Sequence, residues 1–230
     1  MIQAQNLTKL YGDFPALQNL SLEVAAGEFV ALLGRNGAGK TTLLKLLALL
    51  TKPSLGKLMI AGEDGGDWNA ARRRMGLLGH NSFLYDDLTA EENLLFYANL
   101  YGVAEARQAC RQTLETVGLA SFGKELVRNF SRGMRQRLTI GRLFLHNPDL
   151  LLLDEPFTGL DDRAVTLLES LLREAHRQGK TIVLCTHQLE LALRLADRLL
   201  VLERGKMAYL GPNRPDRLAE MRELYLKFAG

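Results

Sequence analysis

The sequence predicts an α/β fold: a largely parallel sheet wrapped by helices, with an antiparallel β subdomain and an inserted helical subdomain. Three observations carry this expectation. The wholly apolar runs "LLLLD" (Leu150–Asp154) and "TIVLC" (Thr181–Cys185) alternate with helical stretches, as strands buried on both faces of a parallel sheet do. The chain opens with two segments of apolar/polar alternation, the period of half-buried strands. Between Thr89 and Gly118 the strand pattern gives way to helical spacing with helix caps.

The elements follow in order. Ile2–Leu10 and Leu17–Val24 read as amphipathic strands around the turn-like "YGDFP". "EFVALLG" is a short apolar strand running into a glycine-rich loop, and Thr41–Leu50 reads as the helix behind that loop. "KLMIAG" and "MGLLG" are further strands. Thr89 with Glu92 three residues on has capping-box spacing, and Gly102 can end the helix so begun. A second helix spans Glu105–Val117 and stops at Gly118; a third begins at Ser131 and runs to about His146. Beyond Pro148 come a strand at "LLLLD", a helix over Asp162–Gln178, a strand at "TIVLC" and a helix near Leu189–Arg198. "RLLVLERGKMAYLG" reads as a hairpin turning at "RGK", and Arg214–Phe228 as an amphipathic terminal helix. The expected organisation is one domain over 1–230, its core at about 1–84 and 147–230 and its helical lobe at about 85–146.

Composition narrows the function. The chain has 230 residues, 47% hydrophobic and 24% charged, with a net charge of +3, which is globular and too mildly basic for a nucleic-acid protein. Cys110 and Cys185 have no CxxC spacing, so neither a zinc ribbon nor a redox pair is expected, and sparse cysteine fits a reducing compartment. The start "MIQAQNLTKL" lacks the features of a signal peptide. The apolar runs fall short of the roughly 20 residues that cross a bilayer.

The chemistry concentrates in four places. "GRNGAGKTT", Gly34 to Thr42, has the G-x-x-x-x-G-K-[ST] spacing between a strand and a helix. Its glycines let backbone N–H groups converge on a phosphate, and the helix N-terminus adds partial positive charge. Lys40 is placed for the β- and γ-phosphates, and the Thr41 hydroxyl for Mg²⁺. Asp154 and Glu155 end a buried strand, where ligands of open α/β sheets bind; the first suits Mg²⁺, the second suits orienting or deprotonating a water. His187 ends the next apolar strand and can donate to a γ-phosphate. In "FSRGMRQRL", Ser131 is a good helix N-cap and Gly133 allows close backbone approach; the run can read a phosphate anion, grip nucleic acid or cover a solvated surface. Arg132 can face that anion or solvent; Arg135, Arg137 and Arg142 read as a solvated helix face.

"GRNGAGKT", "FSRGM", "LLLLDEP", "GLD" and "TH", in this order over essentially the whole chain, resemble the ATP-binding subunit of ABC transporters. The resemblance implies an ABC-type P-loop NTPase fold with a RecA-like core, ATP and Mg²⁺ as cofactors, and ATP hydrolysis. Residues Gly34, Arg35, Asn36, Gly37, Ala38, Gly39, Lys40, Thr41 and Thr42 would form the phosphate loop. Tyr11 would stack on adenine; Thr41 and Asp154 would serve Mg²⁺; Glu155 and His187 would be the catalytic acid and switch histidine; Asp161 would lie in the loop that crosses a dimer. Ser131 and Gly133 would read the γ-phosphate held by a second copy, although Arg132 and Met134 depart from the family's L-S-G-G-Q. His80 stands where the family has glutamine at the Mg²⁺ or attacking water, with Asn81 as the other candidate.

The implied partners are a second ATPase subunit, joining as a homodimer on ATP binding, and separate transmembrane permease subunits. They imply a peripheral position on the cytoplasmic side of the inner membrane, and no nucleic acid. "GH…FLYDDLTAEENL" with "FSRGMRQRL" also looks like the ATPase of the heme exporter of cytochrome c maturation; export of a drug, lipid or polysaccharide is the alternative. A DNA- or ribosome-acting ABC protein is disfavoured because no sustained heptads and one cassette are present. A GTPase is disfavoured by the missing N-K-x-D. Ser82–Leu88, with Phe83 and Tyr85, is the expected docking segment for the permease.

Overall fold

A computed structural model describes residues 1–63, 68–79, 81–214 and 218–229. Two sheets and three apolar clusters organise them. β1 (Ile2–Tyr11), β2 (Phe14–Val24) and β4 (Leu55–Ile60) form a three-stranded antiparallel sheet in the order β2-β1-β4. Both hairpin strands run into the segment expected as a turn. Tyr11 pairs with Phe14, which leaves Gly12 and Asp13 as a two-residue connection.

The larger sheet has six strands in the order β5-β6-β7-β3-β8-β9: β5 (Met75–Leu78), β6 (Leu150–Asp154), β7 (Thr181–Cys185), β3 (Phe29–Leu33), β8 (Arg198–Glu203) and β9 (Lys206–Pro212). All neighbours are parallel except β9, which closes the edge as an antiparallel hairpin with β8. Every residue of β3, β6 and β7 is buried, as their unbroken apolar runs require. Side chains alternate between two layers. Val30, Leu32, Leu152 and Val183 pack with α1 (Lys40–Leu47) and the small sheet; Ala31, Leu33, Leu153 and Leu184 pack with α6 (Asp162–Arg177) and α7 (Leu189–Leu195). Each fully buried leucine contributes about 1.5–3 kcal/mol, more than a single exposed charge pair can offset.

A third cluster fills the lobe formed by α3 (Ala90–Tyr101), α4 (Ala106–Thr116) and α5 (Arg132–Phe144). The capping box at Thr89 and Glu92 is present, and Gly102 ends α3 in the left-handed region at φ 68. α5 belongs to both bodies: Leu138 packs in the lobe, whereas Ile140 and Leu143 pack beneath the parallel sheet.

Three elements differ from expectation. The helix expected to reach Leu50 stops at Leu47, because the backbone turns left-handed at Leu49. α7 ends at Leu195 because Ala196 is extended and the Asp197 N–H donates to Phe29 O, which starts β8. The six-residue α2 (Trp68–Arg73) was not foreseen. α8 (Leu218–Ala229) closes the chain, with Arg222 paired to Glu190 of α7.

The arginines of α5 correct another expectation. Arg142 is 6% exposed: it lies 5.0 Å from the Tyr97 ring centre and 5.7 Å from that of Phe83, and donates to Leu77 O at 3.3 Å. Arg137 donates to Val117 O and Gly118 O, satisfying the carbonyl end of α4. Arg135 pairs with Asp86. A helix bridging two bodies has no wholly solvated face, so its guanidinium groups are drawn to backbone carbonyls and rings.

Candidate functional site

The strand order β6-β7-β3 sets three chain segments side by side at one end of the parallel sheet. The Gly34–Thr42 loop leaves β3, Asp154 and Glu155 end β6, and Thr186 and His187 follow β7. This is the carboxyl edge of an open α/β sheet, the place where such sheets bind their ligands.

The loop is built by its own backbone. Gly39 is the left-handed N-cap of α1 at φ 103, and a Cβ there would stand 2.7 Å from Ala16 O, so no larger residue fits. The Ala38 N–H donates to Arg35 O. Lys40, 8% exposed, turns its ammonium back to donate to Gly34 O at 2.7 Å and Arg35 O at 3.1 Å. A buried ammonium must be paired or hydrogen-bonded, and here the loop's carbonyls serve. Arg35, Asn36, Gly37, Gly39, Lys40, Thr41 and Thr42 line a cavity of about 400 Å³ that Asp154 and Glu155 close on one side. Tyr11 and Phe14, facing each other at the tip of the β1–β2 hairpin, stand at its mouth. Lys9 Nζ lies 5.3 Å from the centre of the Tyr11 ring.

Across the cavity floor, Thr41 Oγ1 donates to Asp154 Oδ2 at 3.1 Å. These are hard oxygen donors on two different elements, the set that Mg²⁺ takes. Cys185 is opposite Asp154 in the sheet, and its thiol is driven far up, first by burial and then by the Asp154 charge. Glu155 has a left-handed backbone at φ 50. Its Oε1 lies 2.9 Å from His187 Nδ1, and its Oε2 accepts from Thr186 Oγ1 at 3.3 Å. Strain of this kind in a non-glycine residue persists where the surroundings fix it.

Of the residues expected in one site, the structure brings together the phosphate loop, Tyr11, Asp154, Glu155 and His187. Ser131 and Gly133 lie elsewhere on the chain's surface. Ser131 is the N-cap of α5, its Oγ accepting from the Met134 N–H at 3.2 Å, which leaves the hydroxyl proton free to point outward. Asp161 is the N-cap of α6, with Oδ1 accepting from the Ala164 N–H at 2.8 Å, and its other carboxylate oxygen lies against Gly133. His80 lies outside the described residues, whereas its neighbour Asn81 is exposed and faces a second cavity with Phe83 and Thr41. Sequence reasoning missed Phe14, Thr186 and Gln136. Each stands within three residues of a recognised position, so proximity to Tyr11, His187 and Gly133 was the available signal.

Comparison with known proteins agrees with this geometry. The ABC transporter family description matches residues 17–158. The chain is 42% identical over 209 residues to the Nod factor export ATP-binding protein I of Cupriavidus metallidurans, spanning 90% of this chain and 69% of that one. It is 33% identical over 214 residues to the linearmycin resistance ATP-binding protein LnrL of Bacillus subtilis, spanning 92% and 69%. Among solved structures, an ATP-binding subunit of an ABC transporter superposes with a TM-score of 0.90 at 32% identity, covering 99% of each chain. A dimeric ATP-binding cassette, MJ0796, bound to ADP and phosphate superposes with a TM-score of 0.84 at 29% identity, covering 93% of this chain and 99% of that one. Motif order, sheet topology and relatives lead to one assignment: this chain belongs to the ABC transporter family, as one of its ATP-binding, ATP-hydrolysing subunits.

Proposed function

We propose that this subunit powers export of a drug-like or Nod-factor-like molecule through separate membrane subunits, working as a pair of identical cassettes that close over ATP. The meeting of Lys40, Thr41, Asp154, Glu155 and His187 at adjacent strand ends supports the hydrolytic half of this reading. Lys40 and the loop N–H groups hold the β- and γ-phosphates. Glu155, fixed through both oxygens, orients the attacking water and takes its proton, and His187 donates to the γ-phosphate. Thr41 and Asp154 would hold Mg²⁺, which supplies charge neutralisation between the phosphates. Tyr11 stacks on the adenine, and Ser131 with the Gly133 backbone meets the γ-phosphate of the second copy.

The heme reading draws no support from the two relatives described above, whose printed functions are Nod factor export and linearmycin resistance. They favour the alternative drawn from the sequence. Among the described residues no helix is long and apolar enough to cross a membrane, so this reading assigns the span to a partner and places this subunit at the membrane's cytoplasmic face. The docking segment is Ser82–Leu88. Phe83 is 52% and Tyr85 48% exposed, with Tyr85 edge-on to Phe96 at 5.1 Å, so neither ring is core. The test is to co-purify the membrane partner, reconstitute the complex in vesicles and measure ATPase stimulation by antibiotics and by heme. Stimulation by heme alone overturns the substrate class, and unchanged complex formation and coupled ATPase on Phe83→Ala with Tyr85→Ala overturns the docking segment.

A further inference from the structure

The loop between Glu155 and α6 is short and fixed at both ends. Phe157 anchors it in the core, the Thr158 N–H donates to Glu155 O at 3.1 Å, and Asp161 caps α6. Its middle leans on the first turns of α5 through three contacts. Gln136 Nε2 donates to Gly159 O. The Arg132 guanidinium lies over Gly159, its carbon 3.3 Å from where a Cβ would stand and its terminal nitrogen nearer still. The Asp161 carboxylate fills the space that a Cβ on Gly133 would need, its carbon 3.5 Å from that point. Gly133 therefore has a role within its own chain, besides any approach to a partner's phosphate.

We propose that Arg132 and Gln136, four residues apart on one face of α5, are positioning residues that clamp the loop from Phe157 to Asp161 of their own chain. They act on hydrolysis by fixing that loop relative to Glu155, and Arg132 is not a reader of the second copy's phosphate. The geometry separates the two roles. A phosphate reader needs positive charge at the outer end of α5, which lysine supplies as a point charge. A clamp needs the flat guanidinium that covers an unsubstituted Gly159, whose φ of +72 already disfavours any side chain.

Steady-state ATPase of the full chain tests this, with Glu155→Gln as the control for the site assignment itself. If Glu155→Gln turns over normally, that assignment fails independently of the clamp. The expected result for Arg132→Ala is a kcat lowered about tenfold with KM for ATP within about twofold, and Arg132→Lys should not restore it. A double-mutant cycle adds a second readout. Gly159→Ala should cost at least about fivefold more in kcat beside Arg132 than in the Arg132→Ala background, where the added methyl no longer meets the guanidinium. Amide exchange at residues 158–160 should quicken in Arg132→Ala while the core stays protected. Full rescue by lysine, additive effects in the cycle, or a rise in KM with kcat unchanged would overturn the clamp. Should Arg132→Ala fold poorly by circular dichroism, Gln136→Ala carries the same exchange and kcat measurements with the same reading.

Discussion

His187 Nδ1 lies 2.9 Å from Glu155 Oε1, across the join between the ends of β7 and β6. Thr186 Oγ1 holds the other carboxylate oxygen from the same side. Glu155 is thus oriented by the strand next to its own, and the Glu155 N–H also donates to Cys185 O. A carboxylate held at both oxygens spends little entropy when a water is brought to it.

Glu155→Gln keeps the side chain's shape but removes the proton acceptor. Turnover should fall by at least about 10²-fold, while ATP binding persists and the closed dimer accumulates. Steady-state ATPase and size exclusion with and without ATP check this, and normal turnover would remove Glu155 from its catalytic role.

Arg142 is buried between two rings and one backbone carbonyl, so its removal opens a gap at the junction of α5, Tyr97 and the chain around Phe83. Arg142→Ala should destabilise the protein by about 2 kcal/mol or more, from lost desolvated ring contacts and lost packing of the stem. Arg142→Met, which refills the stem volume, should cost less. Urea denaturation with linear extrapolation measures both.

His146 stacks on Tyr101 with ring centres 3.8 Å apart and has Nε2 2.9 Å from Met75 O. Burial lowers its pKa; the hydrogen bond to Met75 opposes this, and Arg142 and Lys180 reinforce it. The unfolded chain then takes up a proton near pH 6.5 that the folded chain refuses. The stability contributed here is complete above about pH 6.5 and declines as the pH falls below it. The melting temperature should drop between pH 7.5 and 5.5, and His146→Phe should make the drop smaller.

Both thiols should be inert in the folded protein. Burial pushes Cys110 up to about 11, with the Glu91 charge assisting, and Cys185 is raised further by burial and Asp154. Neither forms thiolate at pH 8, so a thiol reagent should titrate no sulfur in buffer and both cysteines in denaturant.

How far the sequence announced this molecule depends on the kind of signal. Capped helices and unbroken apolar strands were legible because each is a local pattern: Thr89 with Glu92, Ser131 before α5, "LLLLD". The site residues were legible as motifs, but their meeting was not, since nothing in the order of the chain says that β7 lies between β6 and β3. Arg142 was misread because an arginine on a helix carries the same letter whether water or two rings surround it. The six-residue α2 is too short for its apolar spacing to announce a helix, and Leu49 turns left-handed without a glycine as warning. For Arg132 the local sequence allows phosphate or solvent alike, because the loop it covers is remote in sequence.

The strand that delivers the phosphate loop, β3, pairs in the sheet with β7 and β8, which begin at Thr181 and Arg198. During synthesis, the loop-bearing segment therefore has no lateral partner until four-fifths of the described chain has been made. The nascent N-terminal region must wait as an apolar, unpaired strand, exposed to wrong partners. A ribosome-stalled chain that stops before Thr181 should hold ATP poorly and depend on chaperones, and nucleotide capture becomes a report that β7 and β8 have been made.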